Sequence, residues 1–355
     1  MARTLIKNSS LVTVDDKLGD IPGGGILIED DKIVANLLGA ALLFAAAATP
    51  ALAQNWKPEK NVEIVVGLTA GSSQDRTART LQKIWQDTNA LGVTSTVVNR
   101  VGGGGQIAWS YLAQRAGDAH YLQIASPTII TSQVTGASKF TFADFTPMAL
   151  LGTQYVAAAV RTESPLGSGR ELIERLKRDP YALSLGINSA GSALHILAGM
   201  LVKGAGGDPK KAKIAVFQGA ELMTAALGGH VDCVVTVASN ILPHVEAGKL
   251  RMLGVAAPQR LGGALAAVPT WQELGLDLVV SNWAGVFGVK GMRPPQIAYW
   301  DGVLAASVAS ADWKAFLAAN QWDAEYLNSA DYTKFLRAED AKLRSALTDL
   351  GLAKQ

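Results

Sequence analysis

Residues 62–79 read Val62-Glu63-Ile64-Val65-Val66-Gly67-Leu68-Thr69-Ala70-Gly71-Ser72-Ser73-Gln74-Asp75-Arg76-Thr77-Ala78-Arg79. β-branched residues crowd the first five positions, and a turn of small residues follows through Thr69-Ala70-Gly71-Ser72-Ser73. Beyond them Ala78, Leu81, Ile84 and Trp85 recur at helical spacing, so they share one face. A strand, a turn of small residues and an amphipathic helix make the repeating unit of an α/β protein.

The same unit recurs along the chain. Ser95–Val98 leads into Val101-Gly102-Gly103-Gly104-Gly105 and a helix over Ile107–Leu112. Tyr121–Ala125 leads into Ser126-Pro127-Thr128, Leu183–Ile187 into Asn188-Ser189-Ala190-Gly191-Ser192, and Ile214–Phe217 into Gln218-Gly219-Ala220. Such alternation implies parallel sheets whose turns all face one edge. A helix over Ile241–Ala247 should end at Gly248, before a strand over Leu250–Ala256. A further short strand is expected around Leu278–Val280. The last helix should be capped by Asn328-Ser329, with Tyr332, Phe335, Leu336, Leu343, Leu347 and Leu350 along one side and Gly351 as its stop. Glu163–Gly169 and Arg293–Pro295 read as linkers or as ordinary loops.

The chain has 355 residues, 49% of them hydrophobic, which is enough for two lobes of ordinary domain size. Only 17% are charged, the net charge is +2, and the basic residues are scattered, so no nucleic-acid surface is implied. The single cysteine, Cys233, excludes an intrachain disulfide and a Cys-based metal site, and its place in the apolar run 231–237 marks it as a core residue. His120, His195, His230 and His244 never approach one another with metal-ligand spacing. No metal and no cofactor is expected.

No charged residue lies between Ile33 and Trp56. Residues 36–53 combine a short apolar core, Pro50 and then Ala51-Leu52-Ala53, the order of a secretory signal cleaved near Ala53, and so imply a periplasmic protein. The rival reading is a membrane anchor, for which the core falls short of the ~20 apolar residues a span requires. Residues 1–35 alternate like two short strands around a Gly-rich turn and resemble the opening β-segment of amidohydrolases, without the HxH metal ligands that should follow. They read as a fused fragment or a misassigned start.

Strand-to-helix turns rich in Gly and Ser aim several backbone N–H groups at one point, beside the positive end of a helix, and so suit anions. Two enzyme motifs fail on these turns. Gly103-x-Gly105-x-x-Ala108 has the dinucleotide form, but no acid stands about 20 residues on to hold a ribose. Gly186-x-x-Ser189-x-Gly191 is one residue too long for a nucleophile elbow. His195 either bonds a ligand or caps a turn. Asp75 is a first-turn acid, suited to N-terminal capping.

Several stretches then carry a resemblance, in order, over about residues 56–352: IVVGLTAGSSQDRTAR (64–79), VVNRVGGGGQIA (97–108), DFTPMALL (144–151), INSAGSALHILAGML (187–201), FQGAELMTAALGGHVDCVV (217–235), VPTWQELGL (268–276) and SNWAGVFGVKGMRPP (281–295). Together they resemble the receptors of tripartite tricarboxylate transporters, the Bug family. The resemblance implies an α/β fold of the two-lobed, type II-like periplasmic binding protein kind, each lobe a mainly parallel sheet flanked by helices. Lobe 1 would take residues 54–157 and 283–355, and lobe 2 residues 158–282, with the ligand in the cleft between. It implies no catalytic residues. It implies a small organic carboxylate held largely by the strand-end loops, partly through water, at Thr69, Ala70, Gly71 and Ser72, with Asp75 at the family's loop acid. Gly103, Gly104 and Gly105, then Ser126 and Thr128, would follow, joined by Ser189, Ala190, Gly191 and His195, and by Gln218 and Gly219. A monomer that delivers its ligand to integral membrane subunits of a transporter is expected.

The chain departs from the family pattern in two places. Gly67-Leu68-Thr69-Ala70 replaces a proline-rich first loop, with Ser72 at a usual glycine. Gln218 stands where many members carry Lys or Arg, which favours a monocarboxylate or a ligand with an uncharged distal group over a tricarboxylate such as citrate. Two other functions remain open on the sequence: an amidohydrolase-type metal-dependent hydrolase, on residues 1–35 alone, and a periplasmic ligand sensor for a signalling system.

Overall fold

The computed structural model describes residues 3–11, 21–29, 32–36, 56–217 and 220–354. The chain divides into two units, Met1–Asn55 and Trp56–Gln355. In the first, β1 (Arg3–Leu11), β2 (Ile21–Glu29) and β3 (Lys32–Asn36) form an antiparallel sheet in that order. Three strands therefore stand where two were expected. Gly23–Gly25 lie inside β2 rather than in a turn, with Gly24 opposite Ser9 where the register shifts. The secretory-signal reading falls, apart from Asn36, outside the described residues.

In the second unit nine strands form one sheet. β4 (Val62–Val66), β5 (Ser95–Asn99) and β6 (Tyr121–Ala125) pair in parallel in the order β5-β4-β6. Next to β6 lies β12 (Ser281–Gly288), antiparallel to it, and next to β12 lies β7 (Thr146–Arg161), the longest strand. β10 (Cys233–Val237), β8 (Ser184–Ile187) and β9 (Lys213–Val216) continue beyond β7 and are mutually parallel. β11 (Leu250–Val255) pairs with the far end of β7. One strand opposes the rest in each half, β12 in the first and β7 in the second. Because β4, β5 and β6 are parallel, their trailing turns gather at one sheet edge, and those of β8 and β9 do the same in the other half.

The two halves share β7. Its residues up to Tyr155 pair with β12, and from Val156 they pair with β10 and β11. The chain returns beside that point, where Val280 donates to Ala256 O at 2.9 Å and Ser281 faces Tyr155. Leu278–Val280 is accordingly an extended connection, and the strand expected there starts only at Ser281. Arg293–Pro295 is not a linker either. Arg293 caps the helix Pro294–Ala309, with proline at the first turn where its missing N–H costs nothing.

Aromatic packing anchors the first half. Trp283, Trp300, Trp313 and Tyr332 are fully buried. Each buried indole removes roughly 200 Å² from water, on the order of 5 kcal/mol before entropy is counted. Trp300 Nε1 donates to Ala119 O at 3.0 Å and Trp85 Nε1 to Ser307 Oγ at 2.8 Å, so those two indoles keep their hydrogen bonds. Cys233 is buried, as its apolar run indicates.

Candidate functional site

The first strand-end turn runs from Gly67 to Ser72 and feeds helix α1 (Ser73–Asp87). Ser72 is the cap, its side chain accepting from Asp75 N at 3.3 Å. Asp75 reaches back instead. Its carboxylate accepts from Gly71 N at 2.9 Å, Arg79 Nε at 2.9 Å and Asn99 Nδ2 at 3.0 Å, and the residue is buried. Burial pushes this carboxyl up, but the bonds from Arg79, Gly71 and Asn99 outweigh it and hold the group below its ordinary value. Asp75 thus ties the first turn to the end of β5. Thr69, Ala70 and Gly71 stand exposed around it, and Ser72 is half-buried.

The second turn, Gly102–Gly105, has φ of 138°, 56°, 63° and 97°, values that only glycine adopts freely. It closes through Gly105 N to Gly102 O at 3.0 Å and leads into helix α2 (Gln106–Ala113). A Cβ on Gly67 would stand 3.2 Å from Gly105 Cα, so the first two turns meet backbone to backbone. Gly103 and Gly104 are exposed, Gly105 buried.

At the third turn Ser126 Oγ lies 3.0 Å from Thr128 Oγ1 and accepts from Gln74 Nε2 at 3.1 Å, which joins α1 to the end of β6. The three turns enclose a cleft of about 50 Å³ lined by Gly67, Leu68, Gln74, Gly104, Gly105, Trp109, Gln123, Ser126 and Thr128, and among the described residues no charged side chain lines it. Four of the residues singled out in the sequence therefore meet here: Gly104, Gly105, Ser126 and Thr128. Thr69–Ser72 and Gly103 do not line the cleft.

In the second half, Ser189, Ala190 and Gly191 form the turn before helix α5 (Ala193–Gly204), and Ser192 Oγ donates to Ser189 O at 2.7 Å; helices α3 and α4 are Thr128–Val134 and Gly169–Arg178. Gly191, at φ +71°, approaches Thr135, to whose methyl a Cβ would come within 3.4 Å. His195 Nδ1 accepts from Gly191 N at 3.0 Å. Burial holds the imidazole below its ordinary pKa, so it is neutral, with the proton on Nε2. His195 is a cap for its own turn. Gln218 and Gly219 lie outside the described residues.

Gln74, Trp109 and Gln123 also line the cleft and were not singled out in the sequence. The signal for Gln123 was a lone amide inside Tyr121-Leu122-Gln123-Ile124-Ala125, where a strand buried on both faces should be apolar throughout. Among the described residues no group of three or more His, Cys, Asp or Glu could hold a metal ion. A larger cavity of about 310 Å³ lies between α5, residues 277–281 and helix Ser329–Asp349, and none of the strand-end turns reaches it.

The sequence profile described as "Tripartite tricarboxylate transporter family receptor" matches residues 78–352. The Cupriavidus necator "UPF0065 protein in gbd 5'region" is 28% identical over 322 residues, covering 90% of this chain and 97% of that one. Among solved structures, the periplasmic binding protein BugD superposes with a TM-score of 0.73 at 24% identity, covering 84% of this chain and 100% of the other. An R. palustris protein solved with adipate gives 0.74 at 23% identity, with coverages of 83% and 99%. These likenesses establish the periplasmic-binding-protein fold.

Proposed function

Since the chain belongs to the tripartite tricarboxylate transporter receptor family, we propose that it captures a small organic carboxylate between its two halves and delivers it, in the periplasm, to the integral membrane subunits of such a transporter. One observation carries this reading. Three parallel strands end in small-residue turns that converge on a single cleft, and among the described residues its lining holds no charged side chain and no nucleophile–base pair. Backbone N–H groups and hydroxyls there suit reversible capture of an anion better than bond chemistry. The adipate in the R. palustris structure supports a carboxylate as the kind of ligand.

The ligand's carboxylate would sit against Gly104, Gly105, Ser126 and Thr128, which line the cleft, while Thr69–Ser72 and Gly103, which do not, would meet the rest of the ligand together with Ser189–Gly191 and the Gln218-Gly219 loop of the other half. Asp75 and His195 are positioning residues. Each accepts from the backbone of its turn, Asp75 from Gly71 N and His195 from Gly191 N, and so fixes the turn's shape. The hinge falls where β7 passes at Tyr155–Val156 and the chain returns at Val280–Ser281, which supports lobes of 54–157 plus 283–355 and 158–282. Ligand contacts made only when the lobes close shift the open–closed equilibrium by their differential affinity. The protein would act as a monomer, with its signal cleaved near Ala53.

The test is a thermal melt of the full chain against mono-, di- and tricarboxylates. A ligand that binds only the folded state, present at 100 times its Kd, should add about 2.7 kcal/mol and raise the midpoint by several degrees. A panel in which no carboxylate raises it sinks the proposal.

A further inference from the structure

The cavity of about 310 Å³ is far larger than the cleft and reaches the lower end of the roughly 300–1,000 Å³ of small-molecule sites. Ile196 and Met200 of α5, Leu278 and Val280 of the extended connection and Leu343 of the last helix give it apolar walls. Glu339 joins them in the lining and is only 6% exposed, on the inner face of the last helix with Leu336 and Leu343. Its one ion pair among the described residues is with the half-exposed Lys342, whose Nζ stands 4.0 Å from Oε2, beyond hydrogen-bond reach. The Trp283 indole is near enough to favour the charged form, yet its N–H has no hydrogen-bond partner. Neither Glu339 oxygen is sealed in protein without a partner, so the carboxylate reaches open space from a side chain set in the cavity wall. Burial holds this carboxyl above its ordinary value, with Lys342 and Trp283 offsetting the shift only in part.

The other acids of the lining add charge of the same sign. Asp277 accepts from the neutral Gln272 Nε2 at 2.8 Å, and Asp349 is engaged by Lys203 Nζ at 3.0 Å. Lys342 is the one cation in the lining among the described residues.

We propose that this cavity is a second binding site, separate from the cleft, for a small organic cation with an apolar body, of the primary alkylammonium class, whose –NH₃⁺ donates to Glu339 and whose chain lies against α5 and the extended connection. An ammonium brings three donors and the charge that a buried carboxylate lacks. An organic anion would meet three carboxylates, and an alcohol would leave the charge of Glu339 uncompensated. A bare metal ion does not fit, since among the described residues no group of three or more His, Cys, Asp or Glu could hold one. No strand-end turn reaches the cavity, so cation capture here and carboxylate capture in the cleft stand or fall independently.

The test is an NMR titration of the isotope-labelled full-length protein with hexylammonium, ethylammonium and hexan-1-ol. Hexylammonium should bind about tenfold or more tightly than either of the others, with saturable shifts at residues 277–281 and 339–349. Glu339→Gln, which keeps the shape and removes the charge, should weaken hexylammonium about tenfold, to the level of hexan-1-ol. It should also melt no earlier than wild type, because the charge it removes is uncompensated. Should Glu339→Gln melt early, Ala346→Phe, which fills the cavity from a half-buried position in its wall, is read in the same way. A folded variant that binds hexylammonium as the wild type does overturns the proposal. So do equal affinities for hexylammonium and hexan-1-ol, shifts confined to the strand-end turns, and the absence of any saturable shift.

Discussion

Gly67 and Gly105 touch across the floor of the cleft, with 3.2 Å between Gly105 Cα and the place a Cβ on Gly67 would take. Gly67 needs no unusual backbone angle, so its lack of a side chain serves the approach of the two turns and nothing else. Gly67→Ala should therefore part the turns by a few tenths of an ångström. Ligand affinity should fall about tenfold or more while the protein stays folded, with stability down by about 1 kcal/mol. Titration and urea melts of the same preparation separate the two effects. Unchanged affinity would mean that ligand does not bind between these turns.

Asp75 should matter for stability, and its contribution should fade in acid. The native carboxyl is held below its unfolded value, so its stabilisation is complete above that value, about 3.9, and is lost as pH drops through the native pKa. Asp75→Asn should cost about 1–3 kcal/mol at neutral pH. The half-exposed Arg79 contributes the smaller share, because solvent screens that pair. The gap between variant and wild type in urea melts should narrow steadily below about pH 5. A gap that stays constant down to pH 3 would contradict the bracing role.

His195 has the same sign of pH dependence at a higher window. Its native pKa lies below the unfolded value of about 6.5, so the unfolded chain binds the extra proton first and stability falls as pH drops below that value. Protonation also removes the acceptor that Gly191 N uses. His195→Gln should flatten the melting midpoint between about pH 7 and pH 5 relative to wild type. Ligand affinity of the wild type should decline only at lower pH, where the native imidazole itself takes up a proton and Gly191 N loses its acceptor. Parallel pH profiles for the two proteins would refute this.

Gly285 lies in β12 between β6 and β7, and a Cβ there would collide with the Tyr332 hydroxyl at the first turn of the last helix. Gly285→Ala should destabilise by about 1–3 kcal/mol or more, measured by urea unfolding, without altering the ligand preference of whatever folds. Gly285→Ala with Tyr332→Phe should recover part of the loss. No recovery would place the strain elsewhere.

The strands that build the cleft were legible because each is short, β-branched and followed by a turn of small residues. Val62–Val66 and Tyr121–Ala125 appear at the expected bounds. β7 was not legible. Thr146–Arg161 carries Pro147, Gly152 and Ala157–Ala159, residues poor in strand preference, and a 16-residue apolar run does not by itself distinguish strand from helix. What makes it a strand is tertiary: neighbours on both edges, β12 and β11 on one and β10 on the other. The site was legible by turns rather than by side chains. Ser126, Thr128 and the glycines were found because they end strands, whereas Gln123 and Trp109 line the same cleft from positions that a core would normally fill with apolar residues. Asp75 and His195 showed their helix positions in the sequence, but only folded geometry reveals that each accepts from its own turn.

The most direct measurement is a calorimetric titration of the full chain with a carboxylate that raises its melting midpoint, followed by NMR of the ligand recovered from the complex. A receptor gives one-to-one binding and returns the ligand chemically unchanged. A ligand consumed on incubation, or saturable heat from none of the panel, would contradict the receptor function.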